Sequence, residues 1–202
     1  MAIIELPTDF GYEAVDFNFI DFNYTEKSDS NGDEAERLGG PPRWACQLVS
    51  LENMSISEAG RWQSIQMKLR GAVNHLSVYD PVRTYPEGTM RGSPVLASTV
   101  NAGDTTAVLT ASGTLKAGDL LQIGSGVGTS QLISVVDDAA PSGPSITINF
   151  EAPARYTFTA GTAVVWDHPR FYAKRRGGPP GWSYAKGYRG AGNFRFELME
   201  SW

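Results

Sequence analysis

The stretch GSGVGTSQ, Gly124 to Gln131, has the composition of a phosphate cradle and is the first place where this chain could do chemistry. Dinucleotide binding needs the spacing G-x-G-x-x-G between a strand and the first turn of a helix, because the free amides of that turn hold the phosphates. Here the glycines stand at 124, 126 and 128, and SQLISVV after them is patterned as a strand. The other common phosphate loop requires Lys followed by Ser or Thr, and this stretch has neither pair. LLQI, the glycine tip and QLISVV therefore predict a β-hairpin.

The remaining reactive residue types are scattered. His75 falls inside an apolar strand pattern and His168 precedes Pro169; they have no metal-ligand spacing, so packing or surface exposure is the expected role of each. A hydrolase nucleophile would need the frame G-x-S-x-G, which Ser125 between Gly124 and Gly126 lacks. Cys46 lies in the apolar run WACQLV and reads as a small core residue; as the single Cys it excludes an internal disulfide or a thiolate zinc site. Many carboxylates sit in the polar segment 26–36, where solvation keeps them all ionised and separates no acid from base. No catalytic, cofactor-binding or metal-binding constellation emerges.

The elements that would position any site are mostly strands. With 202 residues, 41% hydrophobic, 22 Gly and 12 Pro, the chain has the composition of an ordered, loop-rich globular protein, large enough for one domain or one domain with an insertion. The apolar runs are too short to span a bilayer, and MAIIELPTDF lacks a basic start followed by an apolar core, so a cytosolic origin is expected. The net charge of −5 hides a gradient. Acids crowd the first third (Glu5, Asp9, Glu13, Asp16, Asp21, Glu26, Asp29, Asp33, Glu34, Glu36), and bases crowd the last (Arg170, Lys174, Arg175, Arg176, Lys186, Arg189, Arg195), so the two ends attract each other or copies of each other. The aromatic-basic runs RFYAKRR and WSYAKGYR would suit a nucleic acid, but a sequence pI near 5.1 opposes a polyanion over most of the surface.

VDFNFIDFNY (Val15 to Tyr24) alternates and then changes phase after Phe19, the pattern of a long strand with a bulge. TEKSDSNGDEAERLGGPP (25–42) is polar and ends in Gly-Gly-Pro-Pro, which predicts a long projecting loop. RWACQLVSLENM (43–54) returns to strand. Ser55 and Glu58 have capping-box spacing and Gly71 is a natural stop, giving one helix over about 56–70 with Ile56, Ala59, Trp62, Ile65 and Leu69 facing inward. Val73 to Tyr79 reads as a strand ended by Asp80-Pro81. Between 94 and 166, short Thr/Val/Ile strands follow the turns NAGD, KAGD and TAGT, in which glycine supplies the required backbone angle, and a small all-β insertion, a barrel, is expected. GGPPRW (39–44) recurs as GGPPGW (177–182), two stiff turns each followed by Trp. NFRFELMESW (193–202) alternates Phe194, Phe196 and Leu198 against Arg195, Glu197 and Met199.

The order of these features, helix 55–71, then VNHLSVYDPVRTYPEGTMRGSPV, SGTLKAGDLLQIG, a strand pair, FEAPARYTFTAGTAVVWDHP and terminal FRFELMESW, resembles the distal tail and tail-hub (baseplate) proteins of long-tailed bacteriophages and related gene-transfer particles. The resemblance implies a mainly β fold: a tail-tube-like β-sandwich flanked by one α-helix (1–93 plus 167–202) carrying a small inserted β-barrel (94–166). It further implies a homo-oligomeric ring, usually a hexamer, at the virion tail tip, assembled in the host cytoplasm. Such a ring joins the tail tube to hub and baseplate proteins while DNA passes its lumen without specific binding. No enzyme activity, cofactor, metal or membrane is implied. Glu26, Asp29, Asp33, Glu34, Arg37, Trp44, Arg175, Arg176 and Trp182 are the expected contacts between subunits. Two other readings stay open: a carbohydrate-binding β module using the aromatics of GWSYAKGY for host recognition, and the main tail-tube or a joining-ring subunit.

Overall fold

In a computed structural model the chain is described at residues 1–7, 9–27, 34–52, 54–177, 183–184, 191–192 and 194–202. It is mainly β, with one helix and a nearly closed, barrel-like sheet. In chain order the first elements are β1 (Ile3–Glu5), β2 (Tyr12–Lys27), β3 (Glu34–Ser50), α1 (Ile56–Leu69) and β4 (His75–Tyr79). There follow β5 (Arg91–Leu96), β6 (Thr106–Ser112), β7 (Leu120–Gly124), β8 (Ser130–Val135), β9 (Pro141–Ser142), β10 (Ser145–Glu151) and β11 (Val164–Val165). The last are β12 (Arg170–Arg176), β13 (Ser183–Tyr184), β14 (Ala191–Gly192) and β15 (Arg195–Glu200).

Two sheets carry the fold. The first is six-stranded in the order β1-β4-β12-β15-β3-β2, with β1 parallel to β4 and every other pair antiparallel. The alternation seen in the last residues sets its inner face: Phe194, Phe196 and Leu198 are buried beside Cys46, Leu48, Leu76, Phe171 and Ala173. The second sheet is seven-stranded and contains β5 to β11. It curls until Val95 bridges Ala163, and Leu96 N–H and Gly161 N–H donate across that seam to Thr162 and Leu96 carbonyls. A separate cluster built on Leu109, Leu121, Ile133, Ile146, Ile148 and Phe150 fills it.

The helix forms where its cap is written. Ser55 Oγ accepts from Glu58 N–H at 3.2 Å while Glu58 Oε2 accepts from Ser55 N–H at 2.8 Å, so two otherwise unpaired amides are satisfied reciprocally. Its first-turn carboxylate also interacts favourably with the helix dipole. The buried stripe is Ala59, Trp62, Ile65, Gln66 and Leu69. Ile56, expected inward, is 70% exposed: it occupies the first helical position, ahead of the turn that meets the sheet, and Gln66 fills the stripe instead. Trp62 is the anchor, its ring centroid 4.8 Å from Phe10, 5.3 Å from Phe196 and 6.2 Å from Phe194 in stacked geometry.

The projecting loop expected over 25–42 is, where described, a β-ribbon. Pairing of β2 with β3 runs from Tyr12↔Ser50 to Lys27↔Glu34. Its polarity misled because a two-stranded ribbon needs only its ladder, not an apolar face. The Gly-Gly-Pro-Pro segment is inside β3, and the register shows why it is tolerated. Ile20 pairs with Arg43 and Phe22 with Gly40, so Pro41 and Pro42 fall in the irregularity, where no ladder amide is required of them. That irregularity, between Ile20 and Phe22, lies one residue past the phase change expected after Phe19.

The three glycine turns share one geometry. Gly103, Gly118 and Gly161 have φ of 94°, 95° and 85°, the sign a type II turn requires at its third residue. In two of them the closing Asp reaches back: Asp104 Oδ2 accepts from Asn101 N–H at 2.7 Å, and Asp119 Oδ2 from Lys116 N–H at 2.7 Å. The tip of GSGVGTSQ joins β7 to β8, as its pattern predicts, with Gly124, Gly126 and Gly128 at φ of 74°, 89° and 74°.

Candidate functional site

Two features stand out beyond what the cores need: an arm, and the joint at its root. The arm is the distal part of the β2–β3 ribbon. β15 supports β3 only from Ala45 to Val49, so from Asp21 to Lys27 the ribbon runs on with no third strand among the described residues. At roughly 3.3 Å per residue this is an arm of about 23 Å. Beside it β2 is an edge strand of the six-stranded sheet over its whole length.

The joint lies where arm, terminal strand and barrel-like sheet meet. Glu200 follows Leu198 in the inward phase of β15, so its carboxylate is carried into the protein with a side chain 5% exposed. Arg155, from the segment after β10, meets it at 7% exposure. Arg155 Nη1 donates to Glu200 Oε1 at 2.6 Å and Nη2 to Oε2 at 2.5 Å, a bidentate pair. Nη2 also donates to Pro42 O at 3.2 Å, and Glu200 Oε2 accepts from Trp44 N–H at 3.0 Å. One ion pair thus fixes the root of the arm, the last strand and the second sheet together. Trp202 completes the joint, its ring 4.0 Å from the Arg155 guanidinium carbon and 4.2 Å from that of Arg43, both in cation–π contact.

The sheets are sealed by groups that satisfy each other. β7 and β8 are buried on both faces: Leu121, Ile123 and Ile133 enter the core of the second sheet, while Leu120 and Leu132 join the core of the first. Trp44 Nε1 donates to Leu132 O at 2.9 Å, Arg170 N–H to Gln122 Oε1 at 2.9 Å, and Gly126 N–H to Tyr172 Oη at 3.0 Å. A mainly apolar groove of about 220 Å³ remains along this seam, lined by Phe19, Trp44, Ser134, Val136 and Glu151.

The residues expected at subunit contacts are distributed as follows. Glu26, Glu34 and Arg37 belong to the ladder of the arm, paired with Ala35, Lys27 and Tyr24 respectively. Asp29, Asp33 and Trp182 lie outside the described residues, as does most of GWSYAKGY. Trp44 is buried, 5% exposed, and is a strut of the joint. Arg175 and Arg176 end β12, half-buried and exposed respectively. They are not beside the arm: β15 and β3 stand between β12 and β2. Arg155, Glu200, Arg43 and Trp202 were missed. The signal for Glu200 was its phase, in step with Phe194, Phe196 and Leu198.

The titratable core residues show burial and not activation. Burial pushes the Cys46 thiol far above its ordinary pKa, with Asp80 adding to the effect, so the sulfur stays protonated. His75 is buried with neither ring nitrogen hydrogen-bonded, and burial, with Lys174 adding, holds its pKa below the ordinary value. His168 sits apart, with Nδ1 2.6 Å from Asp167. Among the described residues no three His, Cys, Asp or Glu side chains gather as metal ligands, and no helix is long and apolar enough to cross a membrane. No protein-family model matches this chain, and no curated protein matches it.

Proposed function

We propose that this protein is a structural, non-enzymatic virion component. In this reading it forms a closed homo-oligomeric ring, hexameric by resemblance, at the distal end of a phage tail, joining tail tube to hub and baseplate around the DNA channel. The observation that carries the reading is the β2–β3 arm, which runs about 23 Å past its sheet. It is built on a strand whose outer edge is unpaired among the described residues, so the fold offers both a lateral surface for a neighbouring copy and a projection toward the next layer of an assembly. The reading divides the chain into a tube-like β-sandwich with its helix (1–93 plus 167–202) and a small barrel (94–166). The curled second sheet and its own apolar core support that division. The buried joint supports it too, since it ties the root of the arm to the last strand and to the segment that follows β10.

The test is native mass spectrometry with negative-stain imaging of the purified chain. A closed oligomer with a central hole is expected. A monomer at every concentration refutes the reading, and open filaments indicate a main tube subunit instead.

A further inference from the structure

The outer face of the first sheet, turned away from its core, carries a row of side chains that can be followed from strand to strand by register. Arg176 on β12 pairs with Glu197 on β15, Glu197 with Gln47 on β3, and Gln47 with Asp16 on β2. The middle of this row is internally satisfied: Arg195 Nη2 donates to Gln47 Oε1 at 2.6 Å and lies 3.4 Å from Glu197 Oε1. The two ends are not. Asp16 is exposed on the edge strand with no ion pair among the described residues, and Arg176 is exposed in the same condition.

Along its own strand each end is flanked by charges of its own sign. Glu13 and Asp21 are exposed and are the two residues of β2 that the register skips, at the first and second of its three irregularities. At the other end Lys174 and Arg175 stand beside Arg176 on β12. Three inter-strand steps separate the ends, about 14 Å at about 4.8 Å each, so they are screened from one another within one chain.

Among the described residues each end is also open sideways. β2 has no strand beyond it there, and β4 pairs with β12 only from Arg170 to Ala173, so the row stops at Arg176 with no described β4 residue in register beyond it. Pairing of β2 with β2 of a second copy, the usual fate of a long bare edge, would bring two acidic edges together. A head-to-tail neighbour instead continues the row, acidic end to basic end.

From this we infer that a second copy of the chain docks head-to-tail through these ends, with the acidic β2 edge (Glu13, Asp16, Asp21) of one copy against Lys174 and Arg176 of the next. The inference rests on the ring reading and specifies its lateral contact. Because the contact is heterologous it generates a ring or an open filament, and never an isolated two-fold dimer.

Two reversed variants test it, Glu13→Lys/Asp16→Lys and Lys174→Glu/Arg176→Glu, measured with wild type by native mass spectrometry and sedimentation at low and high salt. Each reversed protein alone is expected to keep the wild-type circular dichroism spectrum. Each is also expected to need at least about tenfold more protein to assemble, since juxtaposed like charges oppose association. An equimolar mixture is expected to restore assembly, because both contacts in an alternating ring are again complementary, and wild-type assembly should weaken as salt rises. A wild-type ring indifferent to both reversals, or variants that stay apart when mixed, overturns this contact and leaves the ring standing. A wild type that is monomeric throughout overturns both.

Discussion

Replacing Glu200 by Gln keeps the shape of the joint and removes its negative charge. Arg155 then remains at 7% side-chain exposure, with Pro42 O and a neutral amide as its partners. Two charge-assisted hydrogen bonds are weakened, each contributing about 1.5–3 kcal/mol, and breaking a buried pair from one side costs about 3–5 kcal/mol. Against a total stability of about 5–15 kcal/mol this is a large fraction. For a chain of 202 residues it corresponds to a fall in melting temperature of roughly 10 °C. Urea denaturation of Glu200→Gln, and of the cycle Glu200→Leu, Arg155→Met and Arg155→Met/Glu200→Leu, measures it. The double variant removes both charges at once, so it should recover most of the loss. It stays about 1–2 kcal/mol below wild type, because Trp44 N–H loses its acceptor. With each single variant losing about 3–5 kcal/mol and the double variant about 1–2 kcal/mol, the losses should be non-additive by at least about 4 kcal/mol. A loss below about 1 kcal/mol in Glu200→Gln, the behaviour of a solvent-exposed pair, or simple additivity in the double variant, would refute the assignment of this pair as the joint.

Trp62→Ala removes the ring on which Phe10, Phe194 and Phe196 stack and is expected to destabilise by about 3–5 kcal/mol in the same assay; a loss under about 1 kcal/mol would contradict its role as anchor. Gly124→Ala places a Cβ 2.4 Å from Thr129 O at a φ of +74°, so a loss of at least about 2 kcal/mol is expected, whereas the open turn position Gly118 should show only the smaller backbone strain. His75 takes up a proton more readily in the unfolded chain than in the fold, so stability should be level above its ordinary pKa and decline as pH falls through it. His75→Leu should flatten that part of the profile, and an unchanged slope in this variant would exclude His75 as its source.

Features fixed by neighbours in the chain were the legible ones. The Ser55–Glu58 box, the Ala-Gly turns and the hairpin tip at Gly124 to Gly128 each depend on a few adjacent residues, and each forms where its pattern lies. The arm was misjudged because Pro41 and Pro42 read locally as breakers. Only the register with Ile20 and Phe22 shows that the ladder asks nothing of their nitrogens. The joint was less accessible still: Arg155 and Glu200 are 45 positions apart, and Pro42 lies 113 positions from Arg155. Of that site only the inward phase of Glu200 is visible in the sequence. The opposed charge of the two ends of the chain was legible, but the face and row on which Asp16 and Arg176 lie belong to the folded sheet.

The two successive register breaks between Ile20 and Asn23 have a mechanical consequence. A ribbon two strands wide has no third ladder to resist bending, so compliance concentrates where its own ladder is interrupted. At the lower edge of that interruption the chain is clamped by Pro42, Trp44 and Glu200. The protein therefore places a soft wrist directly above a rigid shoulder, and a load on the tip would swing the distal ribbon about Asp21 and Phe22 before it strained either sheet.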